Sequence, residues 1–461
     1  MTARAAAGWR PYGAHVLLAL TRRRTRWSAP AIGVAVAGAL VAAAVAVPPL
    51  TGWVVHPLLV GGVAPLAATW DPRIGPGTLP ALAVGALALR YAYAAARAAG
   101  FGRLLLLAYV GGLAWLLALA TVDGWAGIAH VVDRPGEYLP TARATSDVGA
   151  TLQHYVERIP HVWPTHIAGH PPGALLYFVA LVRLGLGGSL ATGLVIVAVA
   201  ATTPLAVLLT LRTLGAEEAA RRCAPLLVFG PAAIWTAVSA DAVFAAVAAW
   251  GLAALAYAAT ATARRAPGAG VPAGIVAGLL LGYCAYLSYG LVLIALPAAG
   301  VLVAARSLRP LAWAAGGAGL VVLAFTAAGF RWWDALPVLR ARYYAGIASI
   351  RPTAYWVWGD LAALTICAGP VLGAVVAVAA GWLRRWPQQR AVLSLTVAAG
   401  LAVGLADLSF MSKAEAERIW LPFVPLLLTG TALLPERWRR GALVGQVALA
   451  LIVQTLLHPR W

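Results

Sequence analysis

Uninterrupted apolar runs, repeated along almost the whole chain and separated by short arginine clusters, constrain this sequence more than any other feature. Runs of about 17–23 residues match the length at which a helix crosses a hydrocarbon core of roughly 30 Å. In lipid the backbone has no water to bond, so a run of that length is a helix. The alternating pattern of a membrane β-barrel is absent. Composition closes the soluble alternative: of 461 residues, 62% are hydrophobic and 11% charged, with a mean hydropathy of +0.83. An ordinary soluble domain carries about 25% charged residues. The expected fold is all-α, polytopic and integral to a membrane, with about 12–14 transmembrane helices.

The runs fall at 30–48, 79–98, 104–122, 172–186, 189–211, 224–238, 240–259, 271–287, 289–306, 309–330, 359–383, 391–409, 420–434 and 441–457. Segment 51–69 is also apolar but carries His56 and leads into Trp70-Asp71-Pro72, and reads as an outer-surface or re-entrant piece. Residues 1–29 form a cytoplasmic N-terminal segment and 30–461 a single transmembrane domain. Three connections interrupt it, 123–170, 331–358 and 411–419. No internal repeat is visible, which counts against a transporter built on inverted repeats.

Net charge is +19, with 34 Lys plus Arg against 15 acids. That imbalance invites a nucleic-acid reading, but the basic residues sit in small groups between apolar runs. They are Arg22–Arg24 with Arg26, Arg221–Arg222, Arg264–Arg265, Arg384–Arg385, and Arg437 with Arg439–Arg440. Cytoplasmic loops look like this beside anionic lipid, so membrane lipids, and no nucleic acid, are the expected partners. Counting from these clusters puts all three polar connections on the outer face. The parity fails by one span between 170 and 222 unless 172–186, which includes Arg183, is a half-span or a helix lying on the surface. The three cysteines are far apart and offer neither a disulfide framework nor a metal pair. The Ala, Arg, Gly, Val and Leu bias with a single lysine points to a GC-rich bacterial genome, and hence to a bacterial cytoplasmic membrane.

Connection 123–170 concentrates the scarce polar chemistry. It holds five of eight histidines (His130, His154, His161, His166, His170) and five of fifteen acids (Asp123, Asp133, Glu137, Asp147, Glu157). Trp125, Tyr138, Tyr155 and Trp163 are interleaved with them, and Thr151–Ile159 reads as an amphipathic turn or two. His166 and His170 are spaced i,i+4, but Gly169 and Pro171-Pro172 oppose the continuous helix that would pair them on a metal. Substrate hydrogen bonding or a helix-start role fits them better, and no cofactor is indicated.

His170-Pro171-Pro172-Gly173, followed by Ala-Leu-Leu-Tyr and then Arg183-Leu-Gly-Leu-Gly-Gly, resembles the start of the core module of GT-C glycosyltransferases, the superfamily of protein O-mannosyltransferases and lipid A aminoarabinose transferases. Asp133-Arg-Pro-Gly-Glu137-Tyr138 is similar to the acidic pair with a nearby Tyr on that family's first long outer loop, here with three residues between the acids. Ser239-Ala240-Asp241-Ala-Val-Phe244 resembles its Pro-Asp-type helix start. Lys413 to Arg418-Ile-Trp420-Leu-Pro422 resembles its late cation followed by Arg-aromatic-x-x-Pro. The four stretches occur in family order across about 120–430.

The resemblance implies transfer of a sugar from a polyprenyl-phosphate donor to a glycan, lipid or protein acceptor in envelope biosynthesis, without a nucleotide-sugar donor. Such a reaction needs a carboxylate to take the acceptor proton and cations to hold the departing phosphate. Glu137 or Asp133 can supply the carboxylate, with Asp123 third. The competing reading is a loop acid paired with Arg134 or Arg143. Lys413 and Arg418 are the cation candidates, unless Lys413 merely pairs with Glu415 or Glu417 on a solvated turn. Arg340 and Arg342, beside Tyr343-Tyr344, are the alternatives. Asp241 is a functional suspect because an acid in an apolar stretch is costly, while Ser239 offers the plain alternative of a helix N-cap. The rival function is a transporter or flippase of a lipid-linked or anionic envelope precursor.

Overall fold

The computed structural model describes residues 13–261 and 267–459, the side chains of 13–28 and 267 apart. Arg264 and Arg265, the side chains of Arg22–Arg24 and Arg26, and residues 1–12 of the N-terminal segment therefore lie outside the described residues. The first helix runs Gly13–Thr51, so residues 13–29 continue directly into the first span. Helix makes almost all the regular structure. The strands Ala68–Trp70 and Leu457–Pro459 pair antiparallel and tie segment 51–78 to the far end of the chain.

Among the described residues, seven helical stretches are long and apolar enough to cross a membrane: Ala29–Thr51, Thr78–Ala98, Phe101–Asp123, Ser189–Thr213, Ala240–Thr260, Gly270–Leu287 and Val371–Leu408. Counting Leu311–Ala327 and Trp332–Ala345, bent by 72°, as one span gives eight. The chain is an all-α, multi-pass membrane protein. The expectation of about 12–14 uninterrupted spans is corrected, because several apolar runs are broken helices. Glu217–Val228 stops before Gly230-Pro231 and resumes as Ala233–Thr236. Thr353–Ala368 halts at Gly369-Pro370 and restarts at Val371. Run 289–306 begins as the 3-10 turn Tyr289–Ile294, and run 420–434 is Val424–Leu428 followed by the 3-10 turn Thr429–Leu433. Proline removes an amide donor and crowds the preceding turn, so each break frees carbonyls that need partners in an apolar setting. Two are met by buried side chains: Gln446 Nε2 donates to Ala368 O at 2.7 Å, and Trp115 Nε1 to Gly230 O at 3.2 Å.

The parity problem disappears at Pro172–Arg183. This helix has 12 residues, about 18 Å of rise, and both of its ends meet connection 123–170. His170 precedes it, and Arg183 donates to Ser146 O at 3.4 Å. It lies along one end of the bundle, and Ser189, just beyond it, starts the next crossing from the same end.

The helices have two distinct ends. At one, Arg97 pairs with Glu436 at 3.0 Å, beside Arg221, Arg222, Arg439 and Arg440. At the other, Gly77 N–H bonds Thr121 O at 2.9 Å and Arg73 N–H bonds Thr455 O at 2.8 Å. All three polar connections fold over this second end. Arg342 of the second donates to Ile159 O of the first. Lys413 N–H of the third donates to the Tyr343 hydroxyl at 2.9 Å.

Candidate functional site

Connection 123–170 folds into five short helices, Ala126–Asp133, Tyr138–Ala144, Val148–Gln153, Tyr155–Arg158 and Thr165–Gly169. Their core is aromatic. Leu152, Tyr155 and Ile159 are buried at the three-to-four-residue spacing the sequence displays, although the helix breaks at His154. Tyr155 donates its hydroxyl to Ile167 O at 2.9 Å and His170 O at 3.1 Å, and Trp163 Nε1 donates to Tyr155 O at 3.0 Å. These bonds hold the His166–His170 turn from beneath. Tyr155, Trp163 and Tyr138 are thus core residues of the loop, while Trp125 stays exposed.

His170 adopts the extended backbone expected before Pro171. Its ring sits between Tyr138, 5.9 Å away, and Phe244, 5.7 Å away, and its Nδ1 lies 2.8 Å from His166 O. Gly173 lets the next helix press onto helix Gly270–Leu287, because a Cβ there would lie 2.5 Å from Tyr286 O. Tyr283 donates to Gly173 O at 2.8 Å from the same helix. The Pro-Pro-Gly step is therefore the joint that fixes His170 against the bundle. His166 turns the other way, its Nδ1 2.8 Å from Glu137 Oε1.

Glu137 immediately precedes helix Tyr138–Ala144 without capping it, which leaves its carboxylate aimed at His166. Burial works to raise this carboxyl, but the hydrogen bond and charge of His166, with Arg418 and His170 beyond, hold it below the ordinary range. It is ionised at neutral pH. Burial lowers His170, which stays neutral, and raises Tyr138 well above its usual value, with Asp241 and Glu137 adding to the effect.

Asp241 stands at a capped helix start and inside an ion pair. Ser239 caps helix Ala240–Thr260, its Oγ accepting from Ala242 N at 3.2 Å. Asp241 in the first turn reaches Arg418, Oδ2 to Nε 3.3 Å, with side chains 6% and 8% exposed. Arg418 Nη2 also lies 3.3 Å from Glu415 Oε2, and Glu415 lies 3.5 Å from Arg351. Burial acts against the charged forms here. The carboxylates nevertheless hold Arg418 above its usual range, and Arg418 and Arg351 hold Glu415 below its own.

Connection 411–419 is a buried strap, which removes the alternative of a solvated turn for Lys413. Ser412, Lys413, Ala414, Ala416, Glu417 and Arg418 are all buried. Phe410, Ala414 and Glu415 take left-handed backbone at φ 56, 67 and 66°, which costs a non-glycine residue about 1–2 kcal/mol each. Tertiary bonds hold them there. Ala414 N–H donates to Asp360 Oδ1 at 3.0 Å, Arg351 to Lys413 O at 2.5 Å, and Tyr344 to Phe410 O at 3.2 Å. Lys413 pairs with neither Glu415 nor Glu417; its Nζ donates to Ala348 O at 3.1 Å and lies over the Tyr344 ring. Glu417 is fully buried, accepts from Ala67 N–H at 3.1 Å, and is pushed up to about 7 by that burial.

The other expected residues go elsewhere. Asp133 bonds Arg143 and Ser189, both at 2.7 Å, so the loop-pairing alternative holds for it. Asp123 pairs with Arg73 at 2.7 Å. Arg340 is exposed over Tyr344, and Arg342 is spent on Ile159 O. Arg351, Glu415 and Glu417 were missed as site residues. The signal for Glu415 and Glu417 was the acid–base alternation of Lys413–Arg418 in an otherwise apolar chain, and Arg351 had none. A cavity of about 280 Å³ opens at the same end of the bundle, lined by Asp123, His130, Arg134, Trp235, Ser239 and His458 but by none of Glu137, Asp241 and Arg418. The Arg134 guanidinium and the buried Trp235 Nε1 make no hydrogen bond among the described residues. Among those residues no three His, Cys, Asp or Glu side chains gather as a metal site. Comparison of the chain with protein-family models, with curated proteins and with solved structures gave no match to any of them.

Proposed function

We propose that this protein is a GT-C-like glycosyltransferase. On this reading it moves a sugar from a polyprenyl-phosphate donor to an acceptor on the outer face of a bacterial cytoplasmic membrane. The observation that carries the reading is the convergence of Glu137, Asp241 and Arg418. They come from two connections and one helix start far apart in sequence, yet share one buried electrostatic cluster at the end of the bundle opposite the arginine-rich end. All four family-like stretches contribute to it, through His170, Glu137 with Tyr138, Asp241 and Arg418, and His166 joins them. The arginine-rich end suits the cytoplasmic side, which puts the cluster outside.

In the proposed reaction the acceptor hydroxyl gives its proton to the Glu137 carboxylate as its oxygen bonds the anomeric carbon. The bond from that carbon to the phosphate oxygen breaks, and its electron pair leaves on the phosphate. His166 orients Glu137, and His170 stays neutral within the aromatic wall. Arg418 is already neutralised by Asp241 and Glu415, so its part is to hold the acids in register. Arg134, on the cavity wall, is the cation left to meet the phosphate, where added charge stabilises the transition state more than the ground state.

Purified protein in nanodiscs, given polyprenyl-phosphate-linked hexoses and pentoses, tests the assignment. Glu137→Gln is expected to reduce turnover by about 10²–10⁴-fold with donor binding retained. Asp133→Asn, whose carboxylate is committed to Arg143, is expected to keep most of it. Near-normal turnover in Glu137→Gln would remove the base assignment.

A further inference from the structure

The opposite end of the bundle carries a second feature that the proposed reaction does not use. A cavity of about 310 Å³ lies between helices Thr78–Ala98, Glu217–Val228 and Glu436–Leu456. Its wall carries Arg90, Arg97, Arg221, Arg222, Arg439 and Arg440 against only Glu218 and Glu436. The two acids are already engaged, Glu436 by Arg97 at 3.0 Å and Glu218 by Arg222 at 2.8 Å. Arg221 is held by Glu217 at 2.7 Å and by the carbonyls of Ala96 and Ala99, and Arg439 by Leu434 O at 3.2 Å. Arg90 and Arg440 have no carboxylate partner among the described residues, and both are exposed at the mouth.

Solvated arginines at a helix end would need no further account. Two observations go beyond that. The Tyr93 hydroxyl, on the wall of this cavity, is buried and makes no hydrogen bond among the described residues. A buried unpaired hydroxyl is costly, and here it sits among cations, where an anionic oxygen would complete it. On the other flank of the same helix, a furrow of about 330 Å³ is lined by Leu87, Tyr91, Leu107 and Phe229 and is almost wholly apolar. Leu87, Tyr91 and Leu107 are exposed there, as side chains against acyl chains would be.

We infer that this arginine cavity binds the phosphate of an anionic phospholipid headgroup, with Arg90, Arg440 and Tyr93 as the residues that contact it. Guanidinium groups grip phosphate through paired, charge-assisted hydrogen bonds, and basic pockets between helix ends at the membrane surface suit such headgroups. The site stands independently of glycosyl transfer at the other end.

The test reads the unfolding temperature of the full chain in three settings. These are nanodiscs of phosphatidylcholine alone, nanodiscs of phosphatidylcholine with an equal part of phosphatidylglycerol, and the neutral nanodiscs with soluble glycerol 3-phosphate. Phosphatidylglycerol is expected to raise the unfolding temperature through preferential binding to the folded state. Arg90→Ala with Arg440→Ala is expected to weaken half-saturation about tenfold or more, and Tyr93→Phe severalfold. Only the increment over each variant's own value in neutral nanodiscs is compared, so a general loss of stability does not register. An equal increment in wild type and the double variant, or none in wild type, overturns the site. An increment from glycerol 3-phosphate alone overturns the lipid assignment in favour of a soluble phosphate.

Discussion

Removing the Arg418 guanidinium is the most informative single change in the molecule. Asp241 has no other ion-pair partner among the described residues, whereas Glu415 keeps Arg351 at 3.5 Å. Arg418→Ala therefore strands one carboxylate that is 6% exposed. Breaking a buried pair in this way costs about 3–5 kcal/mol, because the remaining charge stays desolvated. Adding Asp241→Asn removes the stranded charge and is expected to return half or more of the loss. The two changes should then couple by well over the roughly 0.3–0.5 kcal/mol scatter of independent sites. Arg418→Lys is expected to fall between, since one ammonium cannot reach both Asp241 and Glu415 in the guanidinium's geometry. Denaturant unfolding in mixed micelles, run as a double-mutant cycle, gives these quantities. If Arg418→Ala and Asp241→Asn are additive, the cluster is not held by this pair. The phosphate-holding role that the sequence alone expects of Arg418 would then regain its place.

Other expectations follow from the same end of the bundle. Burial raises Glu417 from 4.5 to about 7, so its contribution to stability is full below about pH 4.5 and lost as pH rises through about 7. Glu417→Gln keeps the acceptor for Ala67 N–H and should stabilise the protein above about pH 7 by up to about 3 kcal/mol; an unchanged pH profile would refute it. Gly173→Ala places a Cβ 2.5 Å from Tyr286 O and should cost about 1–3 kcal/mol by overpacking. It should also lower turnover by shifting His170, and wild-type values in both would show that the joint is loose. Single cysteines at Thr145 and Ser349, in two of the connections that fold together, should both react with an impermeant reagent in intact cells. Protection of either would reverse the proposed orientation.

The membrane class was legible because bilayer thickness leaves a simple mark on sequence, a run of apolar residues of fixed length. Helix interruption was not, since hydropathy does not distinguish a crossing such as Ala240–Thr260 from the broken run through Gly369-Pro370. One carbonyl freed at that break is met by Gln446, which is distant in sequence. Glu137, His166, His170, Asp241 and Arg418 were readable because polar groups are scarce here and their neighbours, proline and serine above all, have strong local meanings. The surroundings of Lys413 were not legible, for the opposite reason. Its acidic neighbours look like partners on paper, but the left-handed turn at Ala414 and Glu415 sends the side chains apart. Asp133 and Glu137 are separable only by what Arg143 and His166 do in three dimensions.

The dispersion of the cluster along the chain sets an order on its assembly. Ribosomes deliver Glu137 and His166 first, within one connection that can satisfy itself as soon as it reaches its side of the bilayer. Asp241 comes next, and its counter-ion Arg418 follows only after several intervening helices. Throughout that interval the nascent protein holds a carboxylate at the mouth of an apolar helix with its partner still unmade, a state that membrane insertion disfavours. The pair between Asp241 and Arg418 therefore cannot form in any copy that stops short of residue 418, and such a copy keeps its carboxylate unneutralised.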